Sequence, residues 1–214
     1  MTTKTQTAKP QTSQNQNGQT KPLPDGWRWV KLGDVATIHP GQHIMAADHN
    51  TEGIGCGYLT GPADFGHVYP TITKWTQKPK AWCEPTDVLV TVKGAGVGKT
   101  NLAPSEKVAI GRQLMAVRPK SDYISRLFLY HFLITCFDGL QADALGSTVP
   151  GLSRKDIDSL QIPLPPLEEQ KRIVAILRDR MTVIDQARQA AQAQLEAINA
   201  LPAALLRQAF NGDL

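Results

Sequence analysis

The 214-residue chain is poor in the materials from which several common functions are built. It has three cysteines, Cys56, Cys83 and Cys136, odd in number, widely spaced and without a Cys-x-x-Cys pair. That spacing argues against a disulfide framework, a zinc knuckle and a redox centre, and the three read as reduced structural thiols. No apolar run is long: Phe128 to Phe137 is about half of what a membrane helix needs and contains His131. The first 22 residues hold lysines but no apolar core behind them, so they are no secretory signal, and a cytoplasmic, non-membrane protein is expected. The same stretch cannot bury apolar surface, and residues 1–22 are expected to be a disordered tail outside the fold. His39, His43 and His49, with Cys56 just beyond, come nearest to a metal site, but their spacing matches no recurrent ligand pattern and no metal is expected.

Excess charge is small as well, at +4 overall with a pI of about 9.0. Residues 27–166 carry 14 basic and 12 acidic side chains, and residues 167–214 balance at six and six. With no polycationic arm, any affinity for nucleic acid must come from a patch assembled by folding. What is present is an ordinary globular composition, 41% hydrophobic and 20% charged, in a length that suits one domain plus an appended element.

The domain begins at Leu23. Trp27 to Leu32 alternates like a short strand closing into a turn at Gly33-Asp34. Residues 41–82 are rich in Gly, His and aromatic side chains without clear period, as in loops and short strands on a scaffold. Asp87 to Val92 and Gln113 to Arg118 read as strands, the second ended by Pro119. Between them, Gly94-Ala95-Gly96-Val97-Gly98-Lys99-Thr100 imitates a nucleotide-binding loop, yet Lys93 stands where that motif needs its first glycine. Pro104 follows too closely for the helix the motif requires. The segment reads as a strand-to-strand turn, or as a turn whose backbone N–H groups approach a DNA phosphate beside Lys93 and Lys99; the two can hold together.

Ser121-Asp122 predicts the cap of a buried helix through Leu133, in which Phe128, Tyr130 and Phe132 are core before they are stacking platforms. Ser153 and Asp156 have the spacing of a capping box for one helical turn, and a strand over Ser159 to Leu164 ends in Pro163, Pro165 and Pro166. From Leu167 a long helix is expected, about 35 residues to Leu201. Leu177, Ile184, Ala191, Ile198 and Leu205 recur every seven residues, interleaved with Val174, Met181, Arg188, Leu195 and Pro202. That is a coiled-coil seam flawed at Arg188 and Pro202, to be met by another helix or by the chain's own domain.

The run Ser147-Thr148-Val149-Pro150-Gly151-Leu152-Ser153-Arg154-Lys155-Asp156-Ile157, followed by Ile162-Pro163-Leu164-Pro165-Pro166-Leu167-Glu168-Glu169-Gln170-Lys171-Arg172-Ile173-Val174, resembles the junction of recognition domain and conserved helix in specificity subunits of type I restriction-modification systems. The ending Leu206 to Leu214, the opening Trp29 to Val35 and Asp87 to Val90 with the glycine turn resemble that family too, so the likeness runs from about Leu23 onward. It implies an α/β DNA target-recognition domain over residues 23–166 and a conserved spacer and dimerisation helix over 167–214, forming an antiparallel coiled coil. The implied partners are double-stranded DNA, methyltransferase subunits carrying S-adenosylmethionine, and restriction subunits; the chain itself would hold no cofactor. The usual subunit has two recognition domains and two helices, and this chain has one of each. A half-length subunit is therefore expected to pair with a copy of itself through Leu177, Met181, Ile184, Ala191, Leu195 and Ile198, and to read an interrupted palindrome.

The middle of the domain varies with target in such families, so the resemblance assigns no base contact. Chemistry alone offers Lys74, Lys78 and Lys80 around Trp75, with Lys93, Lys99, Arg112 and Arg154, as side chains able to donate to phosphates or guanine edges. The rival readings are an enzyme, either nucleotide hydrolase or adenine methyltransferase, and a helical adaptor that binds protein only. A methyltransferase would need an Asn/Asp-Pro-Pro-Tyr/Phe motif, and Pro165-Pro166 are preceded by Leu164, so no catalytic residue is expected.

Overall fold

The computed structural model describes residues 23–94, 96–137 and 151–211. The tail 1–22, the Ser147 to Pro150 part of the junction motif and the last three residues lie outside the described residues. The chain divides into a compact unit that runs to Lys171 and a second that begins at Arg172.

The first unit is dominated by strands. In chain order it contains β1 (Arg28–Lys31), α1 (Leu32–Val35), β2 (Ala36–Pro40), β3 (Cys56–Leu59), β4 (Trp75–Thr76), β5 (Trp82–Cys83), β6 (Val88–Thr91), β7 (Thr100–Leu102), β8 (Val108–Ile110), β9 (Leu114–Pro119), α2 (Arg126–Phe137), α3 (Arg154–Asp158) and β10 (Gln161–Leu164). One four-stranded sheet has the order β2-β9-β6-β7 and is antiparallel throughout; the other, β4-β3-β8-β5, holds one parallel pair, β3 with β8. The expected α/β domain is thus sheet-rich, with few helices.

Burial explains the sheet order. All four residues of β6 are buried, as are Leu114 to Val117 of β9, so these two strands are apolar on both faces and occupy the middle of their sheet. One face shares a core with the second sheet through Leu59, Cys83, Leu89, Val108, Ile110, Leu114 and Ala116, while α2 packs on β6, β7 and β9. Each fully buried Leu or Ile there contributes roughly 1.5–3 kcal/mol relative to exposure.

A buried carboxylate ties the base of the β6–β7 hairpin together. Asp87 accepts from Arg118 Nε at 2.7 Å and Nη2 at 2.9 Å, and from the Glu84 amide at 2.7 Å. This fork-to-fork pairing gives the fully buried charge both a partner and fixed geometry, and it holds the Arg118 guanidinium above its ordinary pKa. Arg126 then donates to the Ala103 and Asp87 carbonyls, fastening α2 to the same corner.

Three local expectations are revised. After β1 the chain makes the helical turn α1 at Leu32–Val35 instead of a plain Gly-Asp turn, which buries both Leu32 and Val35. Helix α2 starts at Arg126, not at Ser121: Tyr123 and Ile124 fold their amides back on the Lys120 carbonyl, and it is Ser125 whose hydroxyl accepts from the Phe128 amide. Helix α4 spans Leu167–Asn211 and passes through Pro202, where the sequence suggested an end. An interior proline costs the helix about 3 kcal/mol, and the Ala- and Leu-rich residues around it favour continuation.

The capping box at Ser153 is present, with the Asp156 amide donating to Ser153 Oγ at 3.2 Å and the Ser153 amide to Asp156 Oδ2 at 2.7 Å. Strand β10 pairs antiparallel with β1, bringing the two ends of the domain side by side. Phe128 and Tyr130 are buried and Phe132 is half-buried, in keeping with a core role.

The first turn of α4 belongs to the globular unit and is locked by one side chain. Gln170 is fully buried; its Nε2 donates to the Tyr123 carbonyl at 2.8 Å and the Pro165 carbonyl at 3.0 Å, and its Oε1 accepts from the Ser125 amide at 2.8 Å. Replacing it with Ala leaves three partly or fully buried backbone groups without this partner. Gln170→Ala is therefore expected to lower stability by about 2–4 kcal/mol in urea unfolding; a loss below about 1 kcal/mol would show that these groups find other partners.

Candidate nucleic-acid interface

The β6–β7 turn, Val92 to Lys99, organises the site. It is closed by its own backbone: the Thr91 amide donates to the Lys99 carbonyl, Gly98 to Thr91, Val97 to Gly94 and Lys99 to Gly96, all between 2.8 and 3.1 Å. Gly94 and Gly98 have φ near +88° and +89°, a conformation that an L side chain adopts only under strain. Val97 is fully buried and anchors the loop from beneath. Thr100 opens strand β7. With a strand in place of a helix, the turn lacks the helix N-terminus on which a nucleotide-binding loop depends. The amides of Val97, Gly98 and Lys99 are already engaged inside the turn, so the part of the expectation that gave backbone N–H groups to a phosphate is revised for these three. The lysine side chains remain.

Three other segments close on this turn. A Cβ built on Gly96 would stand 2.7 Å from Pro62 Cβ and Cγ, so backbone and ring are in van der Waals contact. The Val92 amide donates to the Gln113 carbonyl at 2.7 Å, and the Leu152 amide to the Val92 carbonyl at 2.9 Å. A Cβ on Gly151 would lie 3.6 Å from Lys93 Cγ. The turn therefore brings together the 61–71 loop, the β8–β9 connection and the start of the junction motif.

Of the seven basic candidates, Lys93 and Lys99 sit exposed on the turn, Arg112 is exposed in the β8–β9 connection, and Arg154 is exposed at the start of α3, three residues after Gly151. Among the described residues none of these four makes an ion pair. Lys74, Lys78 and Lys80 form a separate group beside β4. The Lys74 carbonyl accepts from the Tyr58 amide, Lys78 Nζ is 2.6 Å from Asp48 Oδ1, and Lys80 Nζ donates to the His43 carbonyl at 3.1 Å. Lys78 holds the half-buried Asp48 carboxyl below its ordinary pKa, chiefly by that hydrogen bond.

The histidines considered for metal have other roles: His39 Nε2 is 3.1 Å from Thr37 Oγ1, and His49 packs against the Tyr58 ring at 5.6 Å. Cys56 donates to the Thr76 carbonyl. Among the described residues no group of three or more His, Cys, Asp or Glu side chains could hold a metal ion. Burial pushes the thiols of Cys83 and Cys136 up to about 12, which leaves them protonated and inert.

Sequence reasoning missed the 61–71 loop. Asp64 organises it by accepting from the Thr60 amide at 2.6 Å, the Thr60 hydroxyl at 2.8 Å and the Gly61 amide at 3.3 Å. Asn101 Nδ2 fastens it to β7 through the Gly66 carbonyl. Beside it, His67 and Lys99 line a cleft of about 380 Å³ floored by Tyr130, Ile134 and Phe137. The short-range Thr60/Asp64 pair was the only signal in the sequence for this rigidity.

Comparison with known proteins assigns this strand-dominated domain and the helix that follows it to a family. The sequence pattern of the type I restriction modification DNA specificity domain matches residues 24–197, and the chain belongs to that family. It is 25% identical over 189 residues to the type I restriction enzyme MjaVIII specificity subunit of Methanocaldococcus jannaschii, covering 88% of this chain and 43% of that protein. Among solved structures, the HsdS subunit from Thermoanaerobacter tengcongensis shares 38% identity with a TM-score of 0.70, covering 91% of this chain and 47% of that one. A chain from a structure describing complex assembly and conformational transition of the type I R-M system shares 42% identity with a TM-score of 0.78, covering 91% and 48%. The chain thus spans less than half the length of these relatives.

The close approach at Gly96 yields a test. Gly96→Ala forces the turn away from Pro62 and is expected to cost about 1–3 kcal/mol in denaturant unfolding. An unchanged midpoint would show that the turn and loop do not touch.

Proposed function

We propose that this chain recognises DNA sequence for a type I restriction-modification system, directing methyltransferase subunits, and restriction subunits where they exist, to a bipartite site. The observation that carries the reading is that Lys93, Lys99, Arg112 and Arg154, exposed and without an ion-pair partner among the described residues, stand on or next to the segments that close on one turn in a chain of this family. Cations without an ion-pair partner can neutralise phosphates and release counterions, which supplies affinity and register on the duplex. Lys74, Lys78 and Lys80 extend the basic surface in this proposal, with Lys78 already engaged by Asp48.

In this reading the domain covers residues 23–166 and the spacer helix 167–214. Chemistry and S-adenosylmethionine reside on the methyltransferase, and the chain works in the cytoplasm; among the described residues no helix is long and apolar enough to cross a membrane.

Lys93→Ala with Lys99→Ala is expected to weaken DNA binding by the complex with its methyltransferase for all sequences alike, lowering the salt slope by roughly 0.9 for each phosphate no longer neutralised while sequence preference persists. Affinity and slope unchanged from the parent would refute the role of the two lysines.

The helix supplies the second half of the proposal. Met181, Ile184, Leu195 and Ile198 are 49%, 58%, 50% and 61% exposed. Leu177 and Ala191 complete the seam on which a second copy packs antiparallel as a coiled coil. Arg188, the charged flaw, is paired on its own helix with Asp185 at 2.9 Å. A twofold protein calls for a twofold target, an interrupted palindrome with half-sites roughly 10 base pairs apart, centre to centre. Light scattering at micromolar protein is expected to give twice the chain mass; a monomer would remove the self-pairing reading.

A further inference from the structure

The β8–β9 connection carries a side chain that the cations do not account for. Gln113 follows Arg112, and its backbone is held by the Val92 amide at its carbonyl, by the Leu114 amide on the Gly111 carbonyl at 2.9 Å and by the Gly111 amide on the Leu59 carbonyl at 2.8 Å. Its side-chain amide lies between two glycines. A Cβ on Gly61 would overlap Gln113 Oε1, and a Cβ on Gly94 would stand 3.2 Å from Nε2. Gly61 is buried and pinned by Asp64, and Gly94 lies in the turn at φ +88°. The side-chain amide thus has glycine backbone on both sides.

There the amide is half-buried, and among the described residues it makes no hydrogen bond. A carboxamide has two N–H donors and an acceptor oxygen, and one with no protein partner leaves these groups available to a ligand. Gln113 follows Arg112 and touches the turn that carries Lys93 and Lys99, the groups assigned to phosphates. Phosphate contacts bring a duplex into register but carry no sequence information. A preorganised amide amid such contacts is suited to a base edge, and the match for glutamine in the major groove is adenine, which accepts at N7 and donates from N6.

We propose that Gln113 is a base-reading residue that selects adenine at one position of the recognised half-site, a proposal that rests on the reading of this surface as the DNA interface. The competing role is that of a filler between Gly61 and Gly94. Gln113→Glu separates the two, because it keeps the shape but replaces the donating amide with a second acceptor, which suits the N4 amino group of cytosine.

The experiment uses the chain in complex with its methyltransferase and combines methylation mapping in cells with competition binding against single-base variants of the mapped site. Gln113→Ala is expected to lower the preference for adenine at one position roughly 10- to 100-fold while leaving nonspecific affinity and its salt slope unchanged. Gln113→Glu is expected to move that preference toward cytosine. Preferences that survive both substitutions at every position, or an equal loss of affinity for all sequences, would overturn the assignment to Gln113. A parent complex with no sequence preference would instead bring down the DNA-recognition reading beneath it.

Discussion

The β6–β7 turn can touch Pro62 and Gln113 at once only because it presents no Cβ at Gly96 or Gly94. Backbone approach at van der Waals distance is the constraint from which the rest of the site follows. It draws the 61–71 loop, the β8–β9 connection and the start of the junction motif to one place, beside a turn whose described residues hydrogen-bond to one another. The same glycines that imitate a nucleotide-binding loop in the sequence act here as spacers: they remove side chains so that other segments can approach. Beneath them, the Asp87–Arg118 pair fixes the far end of the hairpin, and the turn is supported at both ends.

Such an arrangement divides labour by chemistry. Flexible lysine side chains on a rigid turn suit the phosphate backbone, whose position is the same whatever the sequence. A short planar amide held between glycines suits a base edge, where half an ångström matters. Along the long helix Met181, Ile184, Leu195 and Ile198 are exposed, and Arg188 pairs with Asp185 within its own turn. The first turn of that helix is held by Gln170, whose three hydrogen bonds satisfy backbone groups of Pro165, Tyr123 and Ser125. Where the sequence suggested only an acidic first helical turn, the decisive residue is the uncharged one that follows.

Much of the fold was legible because its signals are local. Strands β6 and β9 announce themselves by continuous β-branched and apolar residues, and their observed limits lie within a residue or so of expectation. The Ser153 capping box is a four-residue pattern and formed as read. Helix α2 began later than expected because the Ser125 amide is taken by Gln170, a partner distant in sequence that no local rule could supply. The site shows the same divide. Lys93 and Lys99 could be proposed from the turn alone, but Gln113 could not, since its two neighbours come from β-strand connections far from it in the chain. Lys78 and Lys80 looked equivalent to the turn lysines by composition, and only tertiary contacts with Asp48 and His43 set them apart.

The central claim is that DNA is bound at the face built around the β6–β7 turn. Hydrogen–deuterium exchange on the chain with its methyltransferase, compared with and without a duplex carrying the mapped site, measures this directly. Added protection is expected in peptides covering residues 61–67, 92–100 and 111–114. No added protection in any of these three segments would contradict the account.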